Sequence, residues 1–272
     1  DHVAAVINKP ESVFLVPEYA RCEAFTSCTA ATLLPLSIVY GWPIVKEFLA
    51  GAHNLDQHFV DTNPRHNLPV LLALSDVWND IFLHNTTCSR VMIPYAEALG
   101  AYPDYCATLE AQACGNTASK SAGQPYASPN PSCSAYVVDG GMNATYDRSY
   151  YQSSQVVNQE LLTVMDPQLS SHLKGGSAGL RDELQSTQDA LMASFFAHAD
   201  ELAFGYDRIL SDPVLPSPMS VASVQTVPEP ELSRGNRPST LLICGKLDAF
   251  TCGQLVALAE HRAAIKANIW GR

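Results

Sequence analysis

Between Cys28 and Val45 the chain carries no charged side chain. An uncharged apolar run of this kind belongs in a protein interior or in a bilayer. Thr29, Thr32, Pro35, Ser37, Gly41 and Pro43 interrupt it, whereas a membrane-spanning helix favours a cleaner run. The expectation is a buried helix over residues 29–40, broken at proline, and a second helix over residues 43–50. Pro43 suits a first helical turn, where its missing N–H has no partner to lose. Residues 1–27 read as an extended N-terminal arm, and residues 28–272 as one domain. The Asp1-His2-Val3 start has no Met and no signal-peptide pattern, so a processed form or the visible part of a longer chain is expected.

Beyond this run, short apolar segments alternate with amphipathic ones. Leu71, Leu74, Val77, Trp78 and Ile81 recur at three- and four-residue steps and predict a helix over residues 68–84. Residues 90–94 predict a strand ended by proline, followed by a short helix over 95–99. Strands are also expected at 136–138 and 241–244. A helix is predicted over 189–204, with Ser186 and Asp189 as a capping box and Gly205 as its stop. Another is predicted over 251–267, with Thr251 and Gln254 as its box. This alternation predicts an α/β fold on a parallel sheet. Residues 115–134 and 211–230 are rich in Ser, Pro and small residues and read as loop insertions.

The composition is globular, 47% hydrophobic and 16% charged, and the net charge is −11. An acidic chain without a basic run repels phosphate backbones, so nucleic acid is not an expected partner. The eight cysteines form no C-x-x-C pair, which predicts neither a zinc site nor a redox pair but reduced thiols. His53, Asp56 and His58 cluster in sequence and are read as packing residues rather than metal ligands. His198, Asp200 and Glu201 are read as a solvated helix face. Trp78, Phe82, Phe195 and Phe196 are expected as core or interface anchors. There is no Gly-x-Ser-x-Gly nucleophile elbow and no phosphate-cradling P-loop.

A set of short segments points further. In order they are Leu34-Pro35-Leu36-Ser37 with Tyr40-Gly41; Gly51-Ala52-His53 with Asp56-Gln57-His58-Phe59; and Asn67-Leu68-Pro69-Val70-Leu71-Leu72-Ala73-Leu74 with Val77-Trp78-Asn79. They continue with Ile93-Pro94-Tyr95, Ser194-Phe195-Phe196-Ala197, Gly235-Asn236-Arg237-Pro238-Ser239, Glu260-His261-Arg262 and Ile269-Trp270-Gly271. Their order and spacing resemble the C-terminal half of glucose-6-phosphate isomerases. The resemblance implies a three-layer α/β/α sandwich of the sugar-isomerase type.

It also implies where chemistry should sit. The family moves a proton between adjacent carbons of an open-chain sugar phosphate. It uses an arginine, a glutamate base and a ring-opening histidine. At the arginine position this chain has Ala24, beside Glu23. Counting from Ser149-Tyr150-Tyr151-Gln152 puts Gly141 at the glutamate, Arg148 at a first histidine and Gln155 at the ring-opening histidine. Glycine accepts no proton, and a glutamine amide is neither acid nor base near neutrality. The nearest carboxylates are Asp139 and Asp147. The expected function is therefore a catalytically inactive family member, without cofactor or metal. It would act as a structural or accessory subunit of a larger protein assembly in an organelle, mitochondrion or plastid. A small-molecule ligand is not expected. The alternatives are a cytoplasmic active isomerase and a sugar-phosphate sensor, for which Arg148 and Lys174 are the nearby cations.

Overall fold

The computed structural model describes residues 23–82, 89–114, 132–135, 156–166, 178–205, 235–236 and 238–271. Its contacts divide the chain into two compact units. One comprises Asp1–Ser75, Thr108–Ser128 and Leu247–Arg272; the other comprises Asp76–Ala107 and Pro129–Lys246.

The first unit opens with a 3-10 turn, Glu23–Thr26, and helix α1, Ala30–Tyr40. Thr29 closes this turn, its N–H and its hydroxyl both donating to the Thr26 carbonyl. Pro35 does not interrupt α1, contrary to expectation. The break falls at Gly41, whose φ of 86° few other residues adopt. Helix α2, Trp42–Asp61, starts there with Pro43 in its first turn. It runs well past the expected end at residue 50, because Val45, Ala52 and Leu55 keep one stripe buried. The expected burial of α1 is also corrected: it has no buried residue.

Asn67 joins α2 to helix α3, Leu68–Phe82. Its amide donates to the Phe59 carbonyl at 2.7 Å, and its side-chain oxygen accepts from the Val70 N–H at 3.4 Å. One side chain thus closes one helix and opens the next. Helix α6, Ala249–Ile269, packs along α2. Its cap is Asp248, whose carboxylate accepts from the Thr251 N–H at 2.9 Å. The box predicted from Thr251 is therefore displaced by one turn. Gln254 instead donates to Asn54 of α2 at 2.9 Å.

The second unit contains a four-stranded sheet. Its strands are β1, Ser89–Pro94; β2, Ser132–Ala135; β3, Val156–Val164; and β4, Ser239–Cys244. All pairings are parallel and the order is β2-β1-β3-β4. The parallel sheet is as expected, but two strands lie where the sequence suggested otherwise. Strand β2 overlaps the end of the segment 115–134 read as a loop. Strand β3 was not anticipated. The strand expected at 136–138 lies outside the described residues.

Helix α4, Tyr102–Cys114, was also not anticipated. The expected helix at 95–99 shrinks to a 3-10 turn, Glu97–Leu99. Helix α5, Ala178–Phe204, packs on β3 and β4. It begins well before Ser186, so the predicted capping box is not used. Asp189 accepts from the Gln185 amide at 3.0 Å, an i to i+4 pair within the helix. Gly205 does end α5, with φ of 82°.

Ile93, Leu161, Met192, Phe195 and Leu202 form the core between sheet and helix. The Gly235-Asn236 loop fastens this arrangement. Gly235 lies directly on the Phe204 backbone, leaving no room for a Cβ. Asn236 donates its N–H to the Ala203 carbonyl at 2.8 Å, and the Pro238 carbonyl accepts from Gln159 at 3.2 Å. The loop therefore ties the end of α5 to the start of β3.

Candidate functional site

The three positions expected to have lost catalytic groups are distributed unevenly. Ala24 lies on the 3-10 turn that leads into α1. Gly141 and Gln155 lie outside the described residues, as do Asp139, Asp147, Arg148, Lys174 and the segment 211–230. Three other polar constellations are described, and each has a definite chemistry.

The first joins α2 and α6. His261 Nε2 sits 2.7 Å from Asp56 Oδ1, and its ring stacks on Phe59 with centroids 4.5 Å apart. Burial, then Glu260 and Asp56, push the nearby Cys28 thiol up to about 11. A thiol so placed stays protonated near neutrality and is a poor nucleophile. The raised thiol speaks against Cys28 as the nucleophile of a Cys, His and Asp grouping. The folded pKa is raised above the ordinary value of 9.0. Its contribution to stability is complete below about pH 9 and is lost as pH rises through about 11. Cys28 should alkylate with iodoacetamide at pH 8 at least about tenfold more slowly than a free peptide thiol. Asp56→Asn removes one of the two carboxylate charges that raise the thiol and should speed that reaction. Mass spectrometry at a single Cys28 peptide checks both.

The second constellation is on the sheet side. His198 Nδ1 lies 2.8 Å from the Tyr95 hydroxyl, just past the end of β1. His198 is buried, which corrects its reading as part of a solvated face. Its neighbour Asp200 is exposed and Glu201 half-buried. The Tyr95 ring meets Phe195 edge to face at 5.3 Å. Phe195 is the core anchor that was expected, while Trp78 and Phe196 are largely exposed.

The third constellation is a buried ion pair. Lys266 Nζ of α6 lies 3.5 Å from Glu110 Oε2 of α4, and both side chains are almost fully enclosed. Arg262, one turn earlier on α6, is buried as well.

His58 needs no metal. Its Nε2 accepts from the Leu68 N–H at 3.2 Å, which leaves Nδ1–H to donate to Thr62 Oγ1 at 3.1 Å. Asp56 is taken by His261, and His53 is exposed. Among the described residues there is no group of His, Cys, Asp and Glu side chains fit to hold a metal. None of their helices is long and apolar enough to cross a membrane. Among the described residues, Cys28, Cys106, Cys114, Cys244 and Cys252 are not joined in disulfides.

Local sequence gave no sign of these pairings, because their partners lie far apart in the chain. Asp56, His58 and His198 were singled out from the sequence, and Tyr95 and His261 through the resemblance, but none of them with its partner.

The strand order 2-1-3-4, all parallel, defines a doubly wound α/β unit whose winding reverses between β1 and β3. The phosphoglucose isomerase family model matches residues 23–272. The chain belongs to that family. It is 33% identical over 252 residues to the cytosolic glucose-6-phosphate isomerase of Oenothera sinuata var. hirsuta. It is 34% identical over 254 residues to cytosolic isomerase A of Oryza sativa subsp. japonica. Each match covers 91% of this chain and 40% of the relative, so the chain spans about two fifths of their length. A crystal structure of a glucose-6-phosphate isomerase from Chlamydia trachomatis superposes with a TM-score of 0.66 at 22% identity. That match covers 91% of this chain and 43% of the other, and it supports the fold.

Proposed function

We propose that this chain keeps the family's scaffold without its proton-transfer groups, and serves as a structural or accessory subunit of a protein assembly. The carrying observation is the set Ala24, Gly141 and Gln155, which stand where the resemblance places a cation, a base and a ring-opening histidine. A general acid or base contributes roughly 10²–10⁴-fold to a rate, and loss of two such groups leaves little of an isomerase. The segments retained are those that build the fold, such as the Gly235-Asn236 clamp and the Asn67 helix joint. The relatives are cytosolic by name. That favours the cytoplasmic alternative over the organellar setting first expected.

A second reading is favoured by those same names: aldose–ketose isomerisation of a hexose phosphate. On this reading one of the nearest carboxylates, Asp139 or Asp147, would take the proton. Both readings are tested by incubating the purified chain with glucose 6-phosphate in D₂O. Fructose 6-phosphate and deuterium on the sugar carbon are then followed by NMR. The scaffold reading expects a rate at least about 10⁴-fold below that of a plant cytosolic relative. A comparable rate that disappears in Asp139→Asn or in Asp147→Asn would establish the isomerase instead. A thermal shift with millimolar glucose 6-phosphate, absent catalysis, would identify a sensor.

A further inference from the structure

Strand β4 forms one edge of the sheet. Among the described residues it has a neighbour on one side only, since the order is β2-β1-β3-β4. Two bonds show which of its backbone groups that neighbour uses. The Pro238 carbonyl accepts from the Gln159 N–H at 3.2 Å, and the Cys244 carbonyl accepts from the Met165 N–H at 2.8 Å. Along a strand the groups alternate from side to side. Thr240, Leu242 and Cys244 therefore turn their N–H and C=O groups towards β3. Ser239, Leu241 and Ile243 turn theirs to the open edge. The side chains of these three are exposed as well, Leu241 at 43% and Ile243 at 39%. Natural sheets guard such an edge with lysine, proline or a bulge. The Ser-Thr-Leu-Leu-Ile-Cys strand holds no charge and no proline, and its register with β3 runs unbroken.

We propose that β4 pairs with β4 of a second copy of this chain, across a two-fold axis at Leu241. With that axis normal to the sheet the two strands run antiparallel, and both copies keep the same face up. Leu241 then meets Leu241, and Ser239 meets Ile243. These are the outward-facing residues, so each pair exchanges both of its N–H···O=C bonds, about six in all. A slip of one residue would set outward groups against groups already bonded to β3, which fixes the register. The two Leu241 side chains lie side by side at the axis, and no like charges meet along the strand. An unrelated strand would need a matching alternation of its own, whereas β4 complements itself. Each copy carries −11 charge. At physiological ionic strength that repulsion is screened beyond about 8 Å, so the dimer tightens as salt rises. The pairing uses one strand and its backbone, and it holds whether or not catalysis is lost.

The test follows the 272-residue chain by sedimentation equilibrium across the micromolar range. The expected result is a reversible monomer–dimer equilibrium that strengthens with salt. By NMR hydrogen exchange, the amides of Leu241 and Ile243 should slow as concentration rises. Those of Thr240 and Leu242, already turned to β3, should not change. Leu241→Lys and Leu241→Glu each oppose like charges at the axis and should each weaken the dimer at least about tenfold. Mixed one to one, the two variants should associate again, which requires position 241 to meet itself. The exchange pattern of the unaltered chain decides the matter even where a variant folds poorly. A chain that stays monomeric throughout overturns the proposal. So does a dimer that both variants leave intact, or a mixture that associates no better than either variant alone. Edge amides already protected in the monomer overturn it too, by showing that another part of this chain covers β4.

Discussion

Gly51→Ala lowers the stability of the first unit by about 3 kcal/mol or more. In an ordinary exposed helix the same change would raise stability by about 1 kcal/mol, because alanine is the better helix former. The sign reverses here because α2 and α6 cross backbone to backbone. A Cβ on Gly51 would fall on the Phe250 carbonyl of α6. The contact is reciprocal: a Cβ on Gly253 of α6 would fall on the Phe48 carbonyl of α2. Both obstacles are main chain, so no side-chain rotation relieves them. The helices must separate, and the buried stripe of Val45, Ala52, Leu55, Leu255 and Leu258 loosens with them. Gly253→Ala should behave alike, and the double variant should cost less than the sum, since one separation accommodates both. Thermal unfolding checks the sign. An unchanged or higher midpoint in Gly51→Ala would show that the helices do not cross this closely.

The second large effect concerns Glu110 and Lys266. Their side chains are only 5% and 6% exposed. Removing one partner takes from an enclosed charge the opposite charge beside it, and breaking a buried pair costs about 3–5 kcal/mol. Lys266→Met should therefore lower the melting temperature by roughly 10 °C, and Glu110→Leu should do the same. The pair together, Glu110→Leu/Lys266→Met, should recover most of the loss. A buried ion pair gains little over a well-packed apolar one, because desolvation offsets most of its attraction. A double-mutant cycle by denaturant titration measures the coupling. Additive losses would mean that the two groups answer to other partners.

Several elements were legible because their signals are local. The α1–α2 region, α3, β1, β4 and α6 follow from apolar spacing, and Pro43 and Gly205 mark boundaries through backbone chemistry. What failed did so for physical reasons. Strand β3 carries Gln159 and Glu160 in its middle, both buried. Polar residues at buried positions erase the alternation by which a strand is recognised. Gln159 Oε1 is enclosed without a hydrogen-bond partner, so its burial follows from position in the sheet rather than from its own chemistry. Helix α5 was cut short because Ser186 and Asp189 imitate a cap. In the structure neighbouring Thr187 bonds back to the Glu183 carbonyl at 2.9 Å, as a mid-helix residue does. For α1 the opposite happened. Its uncharged sequence predicted burial, and the structure exposes it. Of the candidate site, the polar pairings were not readable. The pairings of Tyr95 with His198 and of Glu110 with Lys266 join residues more than a hundred positions apart. Nothing in either neighbourhood announces the other.

That α2 and α6 lie side by side has a consequence for synthesis. Asp56 and His261 are 205 residues apart. A nascent chain emerges from the ribosome with α2 long before its partner exists, at about 5–20 residues per second. For some ten seconds or more, by that rate, the apolar face of α2 waits without α6. Such exposure invites aggregation or chaperone capture. Arrest of translation before α6 emerges should therefore yield a protease-sensitive N-terminal third. Release of the last helix should lock it.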